Sequence, residues 1–416
     1  MGEYIISGGR QLSGEIVLSG AKNAALPVIA ASLLTKGAII HNCPRLSDTF
    51  VCADILKEIG CSCYFTGNVL ICEPYGLNSC SISKELCGKM RSSVTFLGAL
   101  LGKCGCAEIY CPGGCALGSR PIDIHLDALR LMGVKVSEEG SKIICKGKPC
   151  GTDITFRYPS VGATENIILA SVLADGITRL KNCAREPEIT ELAAFLNAAG
   201  ADIKGAGEYE IVINGVKSLS RCEYTIMCDR IEAGTYLCTA AATGGELFIK
   251  GLKAELIKPV TDALSQCGCI IKTGRKQIYI DAPGRLCGGI NLTTAPYPGL
   301  PTDMQAQLAA VLCCAEGESH IKETVFEARN RHIPELKKMG ADIECKDGSV
   351  FNIKGVEKLK GAELNAPDLR GGAALITAAL AAEGISKIKN AHYIRRGYES
   401  IEEKLRAVGG EIEYIP

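Results

Sequence analysis

The chain has no tryptophan, and aromatic residues make up only 5% of its 416 residues. Stacking platforms for nucleic-acid bases are therefore scarce. There is no net charge, because 46 Lys and Arg balance 46 Asp and Glu. A general polyanion binder needs a basic excess, so neither nucleic acid nor an anionic membrane surface is an expected partner. Long apolar runs are missing as well: AALITAALAA and its like fall well short of a membrane span. The opening MGEYIISGGR shows no basic segment leading into an apolar one, and Ile6 breaks the myristoylation pattern. Cytoplasmic residence is the expectation. The motif C-x-x-C does not occur, and Cys104, Cys106, Cys111 and Cys115 follow neither a zinc-finger nor a ferredoxin spacing. No metal and no cofactor are expected.

What is abundant is small. Glycine occurs 47 times and cysteine 23 times. In a reducing compartment most of these thiols pack as small hydrophobes. The length suggests two domains. A helix-like phrase ending in Gly recurs as ADILKEIG, DALRLMG, AAFLNAAG, TDALSQCG, PELKKMG and EKLRAVG, and each copy runs into a short alternating segment. The glycines are Gly60, Gly133, Gly200, Gly268, Gly340 and Gly409, spaced 67 to 73 residues apart. A left-handed cap at a helix end explains a glycine at each. A second phrase, Ala-rich and apolar nearly all round, precedes each of these, as in NAALPVIAASLLTKG and GGAALITAALAAEG. Such helices should be buried. Each unit then reads as buried helix, strand, surface helix, strand, strand.

The starts of the buried helices are unusual. They carry Lys22-Asn23, Arg91, Ser160-Val161, Asp229-Arg230, Thr302-Asp303 and Arg370. Ser160, Asp229, Thr302 and Asp303 fit ordinary caps. Lys22, Arg91, Arg230 and Arg370 oppose the helix dipole, at about 0.3–1 kcal/mol each. If the helices converge, these cations form an anion site for phosphate and carboxylate. The plain alternative is four solvated surface cations. The loop CPGGCALGSRPID stands apart: Pro112-Gly113-Gly114 is turn chemistry, and Cys115 on such a loop with Arg120 nearby can be reactive. Cys238, Cys313 and Cys314 sit in apolar contexts and read as core.

The stretches SGAKNAALP, PGGCALGSRPIDIHL, PSVGATENI, REPEI, PTDMQAQ and RGYESIEEKLRA resemble the UDP-N-acetylglucosamine enolpyruvyl transferases of bacterial cell-wall synthesis. The likeness runs from Tyr4 to the C-terminus. It implies an α/β fold of two inside-out barrels, each of three repeats. One domain would span 22–229, and the other 1–21 plus 230–416, with the active site in the cleft between them. The implied reaction moves the enolpyruvyl group of phosphoenolpyruvate to the 3′-hydroxyl of UDP-N-acetylglucosamine through a tetrahedral ketal.

In that likeness Cys115 matches the loop cysteine that acts as general acid, and Asp303 the proposed general base. Lys22, Arg120 and Arg396 match the groups that hold phosphoenolpyruvate, with Asn23 beside Lys22. Arg91, Arg120, Pro121, Ile122, Asp123, Ile124, Ser160, Val161 and Val325 match positions lining the UDP-sugar site. Arg329 and Arg370 match further arginines, and Asp229 and Arg230 fall at a hinge. Two departures stand out. Arg331 lies close to Arg329, which leaves the register there open, and Arg395 stands where the family often has Asp. His125 reads as a structural histidine ahead of a ligand contact. The alternatives are a shikimate 3-phosphate enolpyruvyl transferase and a UDP-sugar-binding paralogue without turnover.

Overall fold

The computed structural model describes residues 2–113, 122–282 and 284–416. Among these residues the chain divides into two compact units. One runs from Gly20 to Met227, and the other holds the chain up to Ser19 and from Cys228 onward. Each has its own apolar core.

Each unit is built on three inner helices. In the first unit they are Lys22–Ser32, Phe96–Cys104 and Val161–Ser171. In the second they are Arg230–Thr243, Gln305–Cys314 and Leu369–Ala381. Small residues all round let these helices be buried on nearly every face. Gly98 and Gly102 show the need for smallness. A Cβ at Gly98 would overlap the carbonyl oxygen of Asn166, and one at Gly102 would lie 2.8 Å from that of Leu169. Phe96–Cys104 thus meets Val161–Ser171 backbone to backbone.

The repeats follow one course. After the helix Lys22–Ser32 come the strand Ala38–His41, the outer helix Ser47–Glu58 and the hairpin of Ser62–Thr66 with Val69–Glu73. The strands alternate, with residues such as Ile40, Leu70 and Cys72 facing the core. The shared glycines end the outer helices, and all six have φ between 84° and 102°. Other residues adopt that region only with strain, so the glycine recurs.

In three of the repeats one strand escapes the sequence reading. Asp153–Thr155, Asn291–Thr293 and Glu363–Asn365 each precede an inner helix and pair parallel with the strand that follows it. Three residues are too few to display alternation. At two places the pairing is exchanged. Ser13–Val17 leads into Lys22–Ser32 yet pairs with Glu246–Lys250. Cys222–Thr225 leads into Arg230–Thr243 yet pairs with Ala38–His41. These are the places where the chain passes from one unit to the other. The last repeat is completed by the N-terminus, because Glu3–Ser7 lies antiparallel between Ile385–Lys389 and Glu411–Ile415.

Among the described residues no helix is long and apolar enough to cross a membrane. Cys238 and Cys313 are fully buried, and burial pushes both thiols well above the usual range. Cys314 is half-buried, with its thiol pushed up to about 11, burial again being the main cause. These are packing cysteines with little thiolate at neutral pH.

Candidate active site

In the second unit the short turn Thr302–Met304 precedes the inner helix Gln305–Cys314. It offers Asp303 to two arginines. Arg329 Nη2 donates to Asp303 Oδ1 at 2.8 Å. Arg370 donates to Oδ2 through Nε at 3.1 Å and Nη2 at 3.0 Å. The guanidinium-bearing side chains are only 5% and 3% exposed, whereas the carboxylate side chain is 26% exposed. Burial alone would raise the Asp303 pKa, but Arg370 and Arg329 outweigh it and hold the carboxyl well below the usual carboxylate range. Arg370 Nη1 and Arg329 Nε have no hydrogen-bond partner among the described residues. Two buried donors beside an ionised carboxylate suit an anionic ligand.

The shell around this trio was not visible in the sequence. Glu323 is buried and ties three segments together. It accepts from Thr302 Oγ1 at 2.8 Å and Thr294 Oγ1 at 2.9 Å. It also accepts from the backbone of Val325 at 2.7 Å and Phe326 at 3.1 Å. Val325 is thereby fixed beside the Asp303 turn. Thr302 Oγ1 accepts from Arg329 Nη1 at 2.8 Å. Arg370 lies 5.4 Å from the Tyr398 ring centroid, and the Tyr398 hydroxyl is hydrogen-bonded with Thr235 at 2.8 Å. No local motif marks Glu323, and although Tyr398 falls within RGYESIEEKLRA, its partner Thr235 lies 163 residues away.

Several expectations change here. Thr302 and Asp303 do not cap the helix that follows, which has no side-chain cap. Their side chains are taken by Glu323 and the two arginines. Asp229 does cap, accepting from Ile231 and Glu232 backbone N–H at 2.8 and 3.0 Å. Asp368 caps the helix of Arg370 in the same way, a role the sequence reading missed. The solvated-cation alternative fails for Lys22, Arg230 and Arg370, which are all buried. Arg230 lies over the Tyr297 ring at 5.7 Å. Of the two neighbouring arginines, Arg329 is buried and reaches Asp303, whereas Arg331 is exposed. Arg396 is half-buried at the end of the 3-10 turn Ala391–Arg396.

In the first unit Lys22 opens its inner helix, and its ammonium pairs with Asp48 at 3.0 Å. That helix start has no side-chain cap and no acidic residue in its first turn, and Asn23 is half-buried beside it. A second group surrounds His125. Asn166 Nδ2 donates to His125 Nδ1 at 2.9 Å and to the Val94 carbonyl at 2.9 Å, and Asn166 Oδ1 accepts from Gly98 N at 2.5 Å. This assigns the imidazole proton to Nε2. Burial, with a smaller contribution from Arg91, lowers the His125 pKa to about 4. The ring edge rests on Gly162, where a Cβ would lie 3.2 Å from Cε1. Arg91 starts the 3-10 turn Arg91–Thr95 and is half-buried. Ser160 caps Val161–Ser171 by accepting from Ala163 N at 3.4 Å, and Val161 is half-buried. Asp123 pairs with Arg157, a residue the sequence reading had passed over. Ile122 and Ile124 pack against the core. Cys115, Arg120 and Pro121 lie outside the described residues.

The comparisons with known proteins agree with one another. The family model for EPSP synthase (3-phosphoshikimate 1-carboxyvinyltransferase) matches residues 6–405. The UDP-N-acetylglucosamine 1-carboxyvinyltransferase 2 of Caldanaerobacter subterraneus subsp. tengcongensis is 47% identical over 417 residues, covering 100% of both chains. The UDP-N-acetylglucosamine 1-carboxyvinyltransferase 1 of Clostridium acetobutylicum is 44% identical over 420 residues, again with 100% of both covered. Among solved structures, the enolpyruvyl transferase NikO from Streptomyces tendae superposes with a TM-score of 0.89 at 27% identity, covering 100% of this chain and 99% of that one. The fold is therefore that of the enolpyruvyl transferases. With a family match over nearly its whole length and relatives matched end to end, the chain belongs to the EPSP synthase (3-phosphoshikimate 1-carboxyvinyltransferase) family of enolpyruvyl transferases.

Proposed function

We propose that the chain transfers the enolpyruvyl group of phosphoenolpyruvate to the 3′-hydroxyl of UDP-N-acetylglucosamine and releases phosphate. This would be the first committed step of peptidoglycan synthesis, carried out in the cytoplasm. The observation that carries it is Asp303, partly exposed and flanked by the buried guanidiniums of Arg329 and Arg370. Anionic substrates need such fixed positive charge, and a hydroxyl nucleophile needs a carboxylate within reach. Both Lys22 and Arg396 are retained as further cations.

In this scheme the sugar 3′-oxygen bonds to C2 of phosphoenolpyruvate as Asp303 takes the hydroxyl proton. Cys115 delivers a proton to C3, giving a tetrahedral ketal that still bears the phosphate. Loss of phosphate and of one C3 proton then restores the double bond. Lys22, Arg120 and Arg396 hold phosphoenolpyruvate, and Asn23 supports Lys22. Arg91, Ile122 to Ile124, Ser160, Val161 and Val325 line the nucleotide-sugar site. His125 supports that wall from behind through Asn166. The family model is named for a shikimate acceptor, but the end-to-end relatives at 44% and 47% identity are named for the UDP-sugar.

Acceptor choice tests this. Phosphate release from phosphoenolpyruvate should require UDP-N-acetylglucosamine and should stay at background with shikimate 3-phosphate. Release with the shikimate ester alone would move the chain to the other branch of its family. Tight binding of the UDP-sugar with no release at all would make it a non-catalytic paralogue.

A further inference from the structure

The turn Ala391–Arg396 ends in two adjacent arginines, Arg395 and Arg396. Arg395 is the one that departs from the resemblance. Its Nη1 donates to Glu402 Oε1 at 2.8 Å. Its guanidinium lies 4.3 Å from the Tyr414 ring centroid. The other Glu402 oxygen accepts from the Tyr4 hydroxyl at 3.3 Å, and Tyr4 is fully buried. Tyr4 and Tyr414 are cross-strand partners whose rings sit 5.4 Å apart. Glu402 is itself buried, with its side chain only 9% exposed. The Arg395 side chain, itself 40% exposed, is thus held on one side by a buried carboxylate and on the other by an aromatic face.

The rest of the turn is anchored at its two ends. Ala391 N donates to Gly2 O at 2.9 Å. Past the turn, Gly397 packs on Leu369, where a Cβ would lie 2.7 Å from that side chain. Residues from both chain termini therefore build the seat of one short segment. A 3-10 turn has poor internal hydrogen bonding and takes its geometry from such outside contacts. Aspartate at position 395 could not pair with Glu402, so this chain fixes the turn in its own way.

We propose that Arg395 and Glu402, caged by Tyr4 and Tyr414, are positioning residues that set the direction of the Arg396 guanidinium toward the phosphoenolpyruvate anion. The proposal rests on the reaction given under Proposed function. Arg395 and Glu402 touch no reacting atom in it. Their effect should therefore fall on capture of one substrate and not on the chemical step once both are bound.

The test is steady-state kinetics of the full chain with phosphoenolpyruvate and UDP-N-acetylglucosamine varied in turn. Arg395→Met keeps an apolar stem on Tyr414 but loses the ion pair. It should raise KM for phosphoenolpyruvate about tenfold, leaving kcat and KM for the UDP-sugar within about twofold. Arg395→Lys should recover most of that loss. Because Arg395→Met leaves Glu402 buried without its charge partner, the double variant Arg395→Met/Glu402→Gln, whose neutral side chain still offers an oxygen to the buried Tyr4 hydroxyl, guards against misfolding. It should melt near the wild type and show the same rise in KM for phosphoenolpyruvate. An unchanged KM for phosphoenolpyruvate in a double variant that melts like the wild type overturns the proposal, as does an equal rise for both substrates. Wild-type turnover in the same assay separates the two layers: without it, the reaction itself and the positioning role fall together.

Discussion

Asp303→Asn should lower turnover with phosphoenolpyruvate and UDP-N-acetylglucosamine about a thousandfold, within the range for loss of a general base. The geometry gives this residue a second task. It is the counter-charge to Arg329 and Arg370, whose side chains are 5% and 3% exposed. Removing one partner of a buried ion pair leaves uncompensated charge and costs on the order of 3 kcal/mol. The variant should therefore melt lower, and millimolar inorganic phosphate should recover part of the loss by supplying an anion to the arginines. The two guanidiniums also make Asp303 a weak base as it stands. An anionic substrate that binds Arg370 Nη1 or Arg329 Nε competes for that positive charge and raises the proton affinity of the carboxylate. Substrate binding and activation of the base then become one event. Turnover of Asp303→Asn within tenfold of wild type would contradict this account.

Acid should weaken the fold through two histidines, one in each unit. Burial is the main cause for both His125 and His332, and each is lowered from 6.5 to about 4. The unfolded chain takes up these protons near 6.5, whereas the folded chain resists them until about 4. Their contribution is complete above the unfolded value and is lost as pH falls toward the folded one. The whole window is worth about 3 kcal/mol per histidine. Buried glutamates act in the opposite sense, since burial raises Glu165, Glu191 and Glu232. A comparison of differences isolates the histidine. Unfolding by urea at pH 7 and pH 5 should show wild type losing about 2 kcal/mol more on acidification than His125→Asn. Equal losses would mean that His125 is already protonated in the folded protein at pH 5.

The repeats were legible because each depends on a residue type with one physical use. Gly60 and its counterparts appear where φ is positive, and the Ala-rich phrases appear where helices meet closely. The parallel strands such as Asn291–Thr293 were not legible, because three residues carry no period. In the site, charge placed against the helix dipole pointed to Lys22 and Arg370. What the sequence could not supply was their partners. Asp48 lies on the next helix from Lys22, and Asp303 reaches Arg370 across 67 residues. The same gap explains the misread caps. A helix-start Thr-Asp pair looks like capping until Glu323 and two arginines, brought in by other segments of the chain, claim both side chains. Arg395 reads as a local anomaly in sequence, yet the fold surrounds it with Tyr4, Glu402 and Tyr414 from both ends of the chain.

The measurement that bears most directly on the central claim is phosphate release from phosphoenolpyruvate in the presence of UDP-N-acetylglucosamine, for wild type, Cys115→Ala and Cys115→Asp. Wild type should turn over, Cys115→Ala should fall at least about a hundredfold, and Cys115→Asp, which restores an acid at that position, should stay within about tenfold of wild type. Cys115→Ala turning over at the wild-type rate would remove the cysteine from the reaction. A wild type that binds both substrates and releases no phosphate would contradict enolpyruvyl transfer itself.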